Sequence, residues 1–249
     1  MRTYLILIFS ILVTILAKGQ LVVDNGDFLT TSEISDLTEQ MNQIKEKTSI
    51  EILIYTTMDL KGKTIKEYGM NLASQYPVGK KGINNGVVIV LSKNDRQMQI
   101  LSGFGLEWIL SDSLSQSILN SMIPYFKKQE YYNGLISALT SINRKTAKFD
   151  WTIETTQIDK ITRTDLGRVL IFDYNNSSGL INYKYALDID PQFSKDFQIT
   201  LESDKNKYVL YYSKYMNDMI GQILTKSKIT IFARMVDWDN KELELLGIE

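Results

Sequence analysis

The sequence predicts an α/β/α sandwich on a small mixed sheet over residues 20–146, followed by a β-rich α+β domain over residues 147–249. Three observations carry that prediction. Ile50–Thr57 and Gly86–Leu91 are near-continuous apolar, β-branched runs, the pattern of strands covered on both faces. A helical pattern opened by a capping box precedes each run. Past Asp150 the texture changes to short alternating segments separated by turn residues.

The elements follow in order. Leu21-Val22-Val23-Asp24 is a short extended lead-in ended by Asn25-Gly26-Asp27. Thr30-x-x-Glu33 caps a helix that places Ile34, Leu37, Met41 and Ile44 on one face. The strand at 50–57 comes next. Thr64-x-x-Glu67 opens a second helix with Ile65, Tyr68, Leu72 and Tyr76 inward, and Pro77 ends it. Strand, helix and the strand at 86–91 form a parallel crossover. Lys93-Asn94-Asp95-Arg96 is a turn into Gln97–Leu101, which alternates like an antiparallel partner. Asp112 is the expected N-cap of a helix carrying Leu114, Ile118, Leu119 and Met122. A last helix over about 131–145 has Tyr132, Leu135, Ile136, Leu139 and Ile142 on one side.

In the second domain, strands are expected at 169–174, 180–189, 197–202, 208–212 and 229–236, with one helix at 215–224. Asp188/Asp190 and Asp237/Asp239 are acid pairs at strand spacing, a pattern that solvated strand faces share.

Composition removes whole mechanisms. The chain has no His and no Cys, so Ser-His-Asp and Cys-His catalysis are impossible and no disulfide forms. Zinc sites normally need imidazole or thiolate, so no zinc is expected. Any metal must be held by oxygen, which favours calcium or magnesium. A net charge of −1 without a basic stripe gives nucleic-acid binding no support. Gly79-Lys80-Lys81-Gly82 follows a helix and lacks P-loop spacing, so no nucleotide cofactor is expected. Ser113, Ser115 and Ser117 have no base to activate them.

Residues 1–19 have the anatomy of a signal peptide: Arg2, an apolar run from Tyr4 to Ala17, then Ala17-Lys18-Gly19 as a cleavage pattern before Gln20. The run is 14 residues, short of the ~20 that span a bilayer. Export to the periplasm or the exterior is expected, without a membrane span in the mature chain; an uncleaved N-terminal anchor is the alternative.

Val22-Val23-Asp24, Asn85-Gly86, Asp95-Arg96, Gly103-x-Gly105-Leu106-Glu107, Ser111-Asp112 and Phe126…Tyr131…Gly134 occur in an order that resembles a TPM domain, over roughly residues 22–143. No family resemblance is found for the C-terminal region. The resemblance implies the same sandwich, and it gives weight to two groups of polar residues. The first helix runs back along strand 50–57, so Asp24 and Asp27 lie near that strand's carboxyl end; Asp59 leaves the same strand and Asp95 the strand at 86–91, and open α/β sheets bind ligands beyond those ends. Asp24, Asp59 and Asp95 can supply hard oxygen ligands to calcium or magnesium; caps and turns are the alternative roles. At the opposite end glycines let backbone approach closely, and Asn85, Gly103, Gly105, Glu107 and Asp112 are candidates to bind a ligand through exposed amides, with Arg96 added from the turn. The alternative for Gly103 and Gly105 is service in a left-handed turn. Plant members of the family have been credited with acid phosphatase activity, and photosystem relatives with assembly or repair of a membrane complex. The expected function is a non-catalytic exported module that binds a divalent cation and a protein partner of the cell envelope or a membrane complex. The alternative is a weak metal-dependent acid phosphatase.

Overall fold

A seven-residue run that is buried on both faces must lie inside a sheet, and two such runs form the centre of the first one. In the computed structural model, which describes residues 21–107, 109–149, 151–175, 184–185, 197–202, 205–212, 216 and 228–249, these are β2 (Glu51–Thr57) and β3 (Gly86–Ser92). They pair in parallel. β1 (Leu21–Asp24) adds in parallel to β2, and β4 (Gln97–Ser102) adds antiparallel to β3, giving the order β1-β2-β3-β4. Register brings Asp24 opposite Thr56, Thr56 opposite Leu91 and Ser92 opposite Gln97. One end of the sheet therefore collects the carboxyl ends of all three parallel strands. Glu51, Gly86 and the end of β4 mark the other.

Helices cover both faces. α1 (Thr31–Thr48), α3 (Asp112–Lys127) and α4 (Tyr131–Thr146) pack Leu37, Met41, Ile44, Leu119, Met122, Leu135 and Ile142 against Ile52, Ile54, Ile89 and Leu91. α2 (Ile65–Gln75) covers the second face, with Leu72 against Leu53, Tyr55, Val88 and Val90. The layers are the expected α/β/α sandwich on a small mixed sheet. Both capping boxes form, Thr30 with Glu33 and Thr64 with Glu67. The Glu67 carboxyl titrates below its ordinary range because the Thr64 backbone amide, and then its hydroxyl, donate to it. Asp112 is not the cap of α3. Ser111 accepts from the Leu114 amide at 3.3 Å, and Asp112 is the exposed first helical residue, where a carboxylate still complements the helix dipole.

The C-terminal region is strand-rich, as expected. Its sheet runs β5-β6-β10-β11-β9-β8-β7, from β5 (Ile153–Thr155), β6 (Val169–Asn175), β7 (Lys184–Tyr185), β8 (Phe197–Glu202), β9 (Lys207–Tyr212), β10 (Lys228–Asp237) and β11 (Glu242–Ile248). β5 and β11 go beyond the sequence reading. Glu242-Leu243-Glu244-Leu245 has no β-branched residue, and β11 is held in the sheet by β10 on one side and β9 on the other. Most of the expected strand 180–189, the helix 215–224 and the pair Asp188/Asp190 lie outside the described residues. Asp237 closes its own turn, accepting from the Asn240 amide and side chain at 3.0 Å each. Among the described residues no helix is long and apolar enough to cross a membrane.

Two outcomes check this packing. Leu37 is fully buried between α1 and the sheet, so Leu37→Ala costs about 2–5 kcal/mol in chemical denaturation. Tyr211 donates its hydroxyl to Glu242 at 2.9 Å. Burial, and then that hydrogen bond, push the phenol up to about 12 from the ordinary 10.0. A pKa raised on folding gives stability that is complete below the unfolded value and is lost as pH rises through the folded one. Stability therefore falls between pH 10 and about 12, and Tyr211→Phe shows a shallower fall over that window in pH-dependent urea melts.

Candidate functional site

The acidic end is built by a loop that folds back on its strand. Beyond β1 the Asp24 carboxylate accepts the amides of Phe28, at 3.1 Å to its nearer oxygen, and Leu29, at 2.9 Å. It also accepts the hydroxyl of Thr56, its neighbour in register on β2. Thr56 Oγ1 accepts the Gly26 amide at 2.9 Å, and Asp27 takes a left-handed conformation with φ 51°. This fold turns the carbonyls of Gly26 and Asp27 toward a common point. Lys93, the first residue after β3, places Nζ there, 2.9 Å from Gly26 O and 2.6 Å from Asp27 O. The same ammonium lies 5.2 Å from the centroid of the Phe28 ring, an arrangement that favours a cation electrostatically.

Asp95 stands on the far side of β2. Its Oδ2 accepts the Leu60 amide at 2.9 Å and the Ser92 hydroxyl at 2.5 Å. Asp59 accepts the Lys61 amide at 2.9 Å, while Thr57 donates its hydroxyl to the Asp59 carbonyl at 3.0 Å. Asp24 is half-buried; Asp59 and Asp95 are exposed. Topology thus brings the three acids to one sheet end, and each shapes a turn there. Among the described residues no three acidic side chains stand close enough to hold an ion alone. Main-chain carbonyls and hydroxyls stand at the same end, oxygens of the kind calcium and magnesium take. Arg96 is exposed in the β3–β4 turn with φ 52°. The residues that sequence reasoning missed are Lys93 and Thr56. Lys93 looked like an ordinary turn residue, and its partners lie across β2, 66 and 67 residues away in the chain.

At the opposite end the candidate ligand-binding residues hold the backbone together. Asn85 is fully buried. It accepts the Lys80 amide at 2.8 Å and donates to the Ser49 carbonyl at 2.7 Å. The Gly103 amide donates to Gly86 O at 2.8 Å, and the Gly105 amide to Asn84 O at 3.1 Å. Gly103 and Gly105 do not serve a left-handed turn: Gly103 has φ −68°, and neither is among the positive-φ glycines. Their role is close approach. A Cβ on Gly103 would meet Asn84 O at 2.2 Å, and one on Gly105 would meet Ile83 O at 1.9 Å. The left-handed residues at this end are Ser49, Gly79, Gly82 and Asn84. Glu107 follows the 3₁₀ turn Phe104–Leu106 and is half-buried; Asp112 is exposed at the head of α3.

The C-terminal strands lie against this end. Phe232 of β10 packs where a Cβ of Gly82 would point, and Asn84 donates its side-chain amide to Leu246 O of β11 at 2.7 Å. Ile83 is buried with Val169, Phe232 and Leu246.

Comparison with known proteins gives a family for the first half of the chain. Residues 22–145 match the TPM domain. No curated protein matches the chain. Among solved structures, the N-terminal domain of a protein from P. gingivalis is similar, at 26% identity and a TM-score of 0.48, covering 53% of this chain and 85% of that one. BA42 from the psychrophilic bacterium Bizionia argentinensis is 21% identical with a TM-score of 0.46, covering 55% of this chain and 91% of that one. The N-terminal domain of cg2496 from Corynebacterium glutamicum is 13% identical, at a TM-score of 0.44, with 53% and 84% covered.

Gly105 gives a sharp check on this geometry. Its missing Cβ faces main-chain oxygen, which cannot rotate away, so Gly105→Ala forces the 83–86 and 103–106 segments apart. The expected loss is about 1–3 kcal/mol by thermal or chemical unfolding; a neutral substitution would contradict the contact.

Proposed function

Residues 22–145 of this chain are a TPM domain, and on that premise we propose that the protein is an exported, non-catalytic module of the cell envelope. It holds a calcium or magnesium ion at the Asp24, Asp59 and Asp95 end of its sheet and engages a protein partner. The observation that carries the ion is that this end already holds a cation: the carbonyls of Gly26 and Asp27 enclose the Lys93 ammonium at 2.9 and 2.6 Å. Both of its partners are main-chain carbonyls, hard oxygens of the kind calcium and magnesium take. A divalent ion there competes with Lys93 for the two carbonyls, so its affinity in the unaltered chain is modest.

The non-catalytic reading rests on what surrounds the acids. With no His or Cys in the chain, no imidazole or thiolate can move a proton. Phosphoryl transfer needs positive groups around the transferred phosphate. Lys93 is committed to two carbonyls, and Arg96 stands exposed in its turn. A module without turnover acts through what it holds, which is why a protein partner completes the proposal.

The test is thermal unfolding of the chain during calcium and magnesium titrations. A saturable rise in melting temperature is expected, approaching about 2.7 kcal/mol of added stability at a hundred times the dissociation constant. Asp24→Asn and Asp95→Asn remove the rise. Lys93→Gln, which keeps a donor and loses the competing charge, binds calcium about tenfold tighter, the factor given by 1.4 kcal/mol. No shift with any variant at millimolar metal would overturn the ion site.

A further inference from the structure

The end of the TPM domain opposite the acids is covered by the chain's own C-terminal strands, and the seam between them combines close fit with an unrelieved polar cost. The fit is made by glycines on both sides. A Cβ on Gly82 would lie 2.6 Å from the Phe232 ring, and one on Gly247 would lie 2.1 Å from Gly82 O. Asn84, left-handed at φ 53°, reaches Leu246 O from the TPM side. Ile83 fills the small apolar cluster with Val169, Phe232 and Leu246, and Phe104 packs against the core of the C-terminal sheet.

The cost is Arg234. It lies on β10 with 1% of its surface exposed, the largest fully buried side chain in the protein's described part. Its guanidinium stands 4.8 Å from the Trp151 ring and 5.7 Å from the Phe149 ring, beyond the end of α4. Trp151 belongs to the core of the TPM domain and donates Nε1 to Thr146 O at 2.7 Å. Arg234 Nη1 donates to Glu244 at 3.1 Å, but Nε and Nη2 are buried without a hydrogen-bond partner. Buried donors without partners lose the hydrogen bonds that water gave them, and separation of the seam returns them. Lys81 and Glu249 pair at 2.8 Å across the rim, both well exposed, and such a pair contributes little.

We propose that the C-terminal sheet is a separable cap on the glycine end of the TPM domain. It closes that end against other molecules while each sheet keeps its own core. Close packing of few apolar residues and the Arg234 guanidinium over the Trp151 ring hold the cap down, while the unpartnered Nε and Nη2 of Arg234 oppose closure. When it lifts, the apolar side chains Ile83 and Phe104 become accessible at an end otherwise sealed, which makes the C-terminal region an internal competitor for that surface.

Hydrogen–deuterium exchange on the full chain tests this. Gly82→Val drives a side chain into the Phe232 ring and Phe232→Ala empties the same contact, so both open the seam by opposite means. In both, exchange rises by about tenfold or more in segments 79–85 and 104–107, a factor of ten corresponding to 1.4 kcal/mol. Segments 51–57, 86–92 and 207–212, in the two cores, keep their protection. Equal loss of protection in the cores of both variants would overturn the proposal by making seam and cores one cooperative unit. Unchanged seam exchange in Gly82→Val and Phe232→Ala would overturn it as well.

Discussion

Burial of β2 and β3 on both faces is the constraint from which the rest of the TPM half follows. Ile52, Ile54, Ile89 and Leu91 face α1, α3 and α4, while Leu53, Tyr55, Val88 and Val90 face α2. A slip of one residue in either strand would exchange these two sets between cores of different shape, so the register is fixed. Fixed register in parallel strands has a chemical consequence. All carboxyl ends fall at one edge of the layer and all amino ends at the other, and the two edges acquire different side chains and different roles.

At the carboxyl edge, polar residues fix the chain reversals. Asp24 accepts main-chain amides of the loop after β1 and Asp95 one of the loop after β2, and the loop after β1 in turn presents two carbonyls to Lys93. A structural role and the proposed ion-binding role compete at Asp24, where each oxygen already accepts two donors, and are compatible at Asp95, where both donors go to Oδ2. At the amino edge, glycine replaces charge. Gly103 and Gly105 let the chain after β4 run against the Ile83–Asn84 backbone, and Gly82 and Gly247 let the C-terminal strands press on the same segment. An edge so closely packed has little room for a small ligand, whereas the carboxyl edge leaves Asp59 and Asp95 in solvent. This contrast makes the acidic edge the better site for function.

Local pattern made much of this legible. Both capping boxes, the two buried strands and the alternation of Gln97–Leu101 appear in the fold because each rests on neighbours within a few residues. The three acids could be placed at one sheet end by topology alone. What escaped the sequence depends on partners far away along the chain. Lys93 acquires its meaning from carbonyls on the other side of β2, and β11 is a strand because β9 and β10 flank it. Of the two readings of the glycines, close approach holds at Gly103 and Gly105, while conformational freedom explains Gly79 and Gly82; which backbone lies against them depends on the Ile83–Asn84 segment far back in the chain. At the start of α3 two adjacent candidates, Ser111 and Asp112, differ by a single position in cap geometry, and the hydroxyl took the cap.

The central claim is that a cation is held at the carboxyl edge, with Lys93 as its competitor. The most direct measurement is a calcium titration followed by amide and lysine side-chain NMR of the full chain. The account predicts saturable shifts at Phe28, Leu29, Leu60 and the Lys93 ammonium, with Asn84, Gly103 and Gly105 unmoved. Shifts confined to the glycine edge, or a Lys93 ammonium indifferent to calcium at saturation, would contradict it.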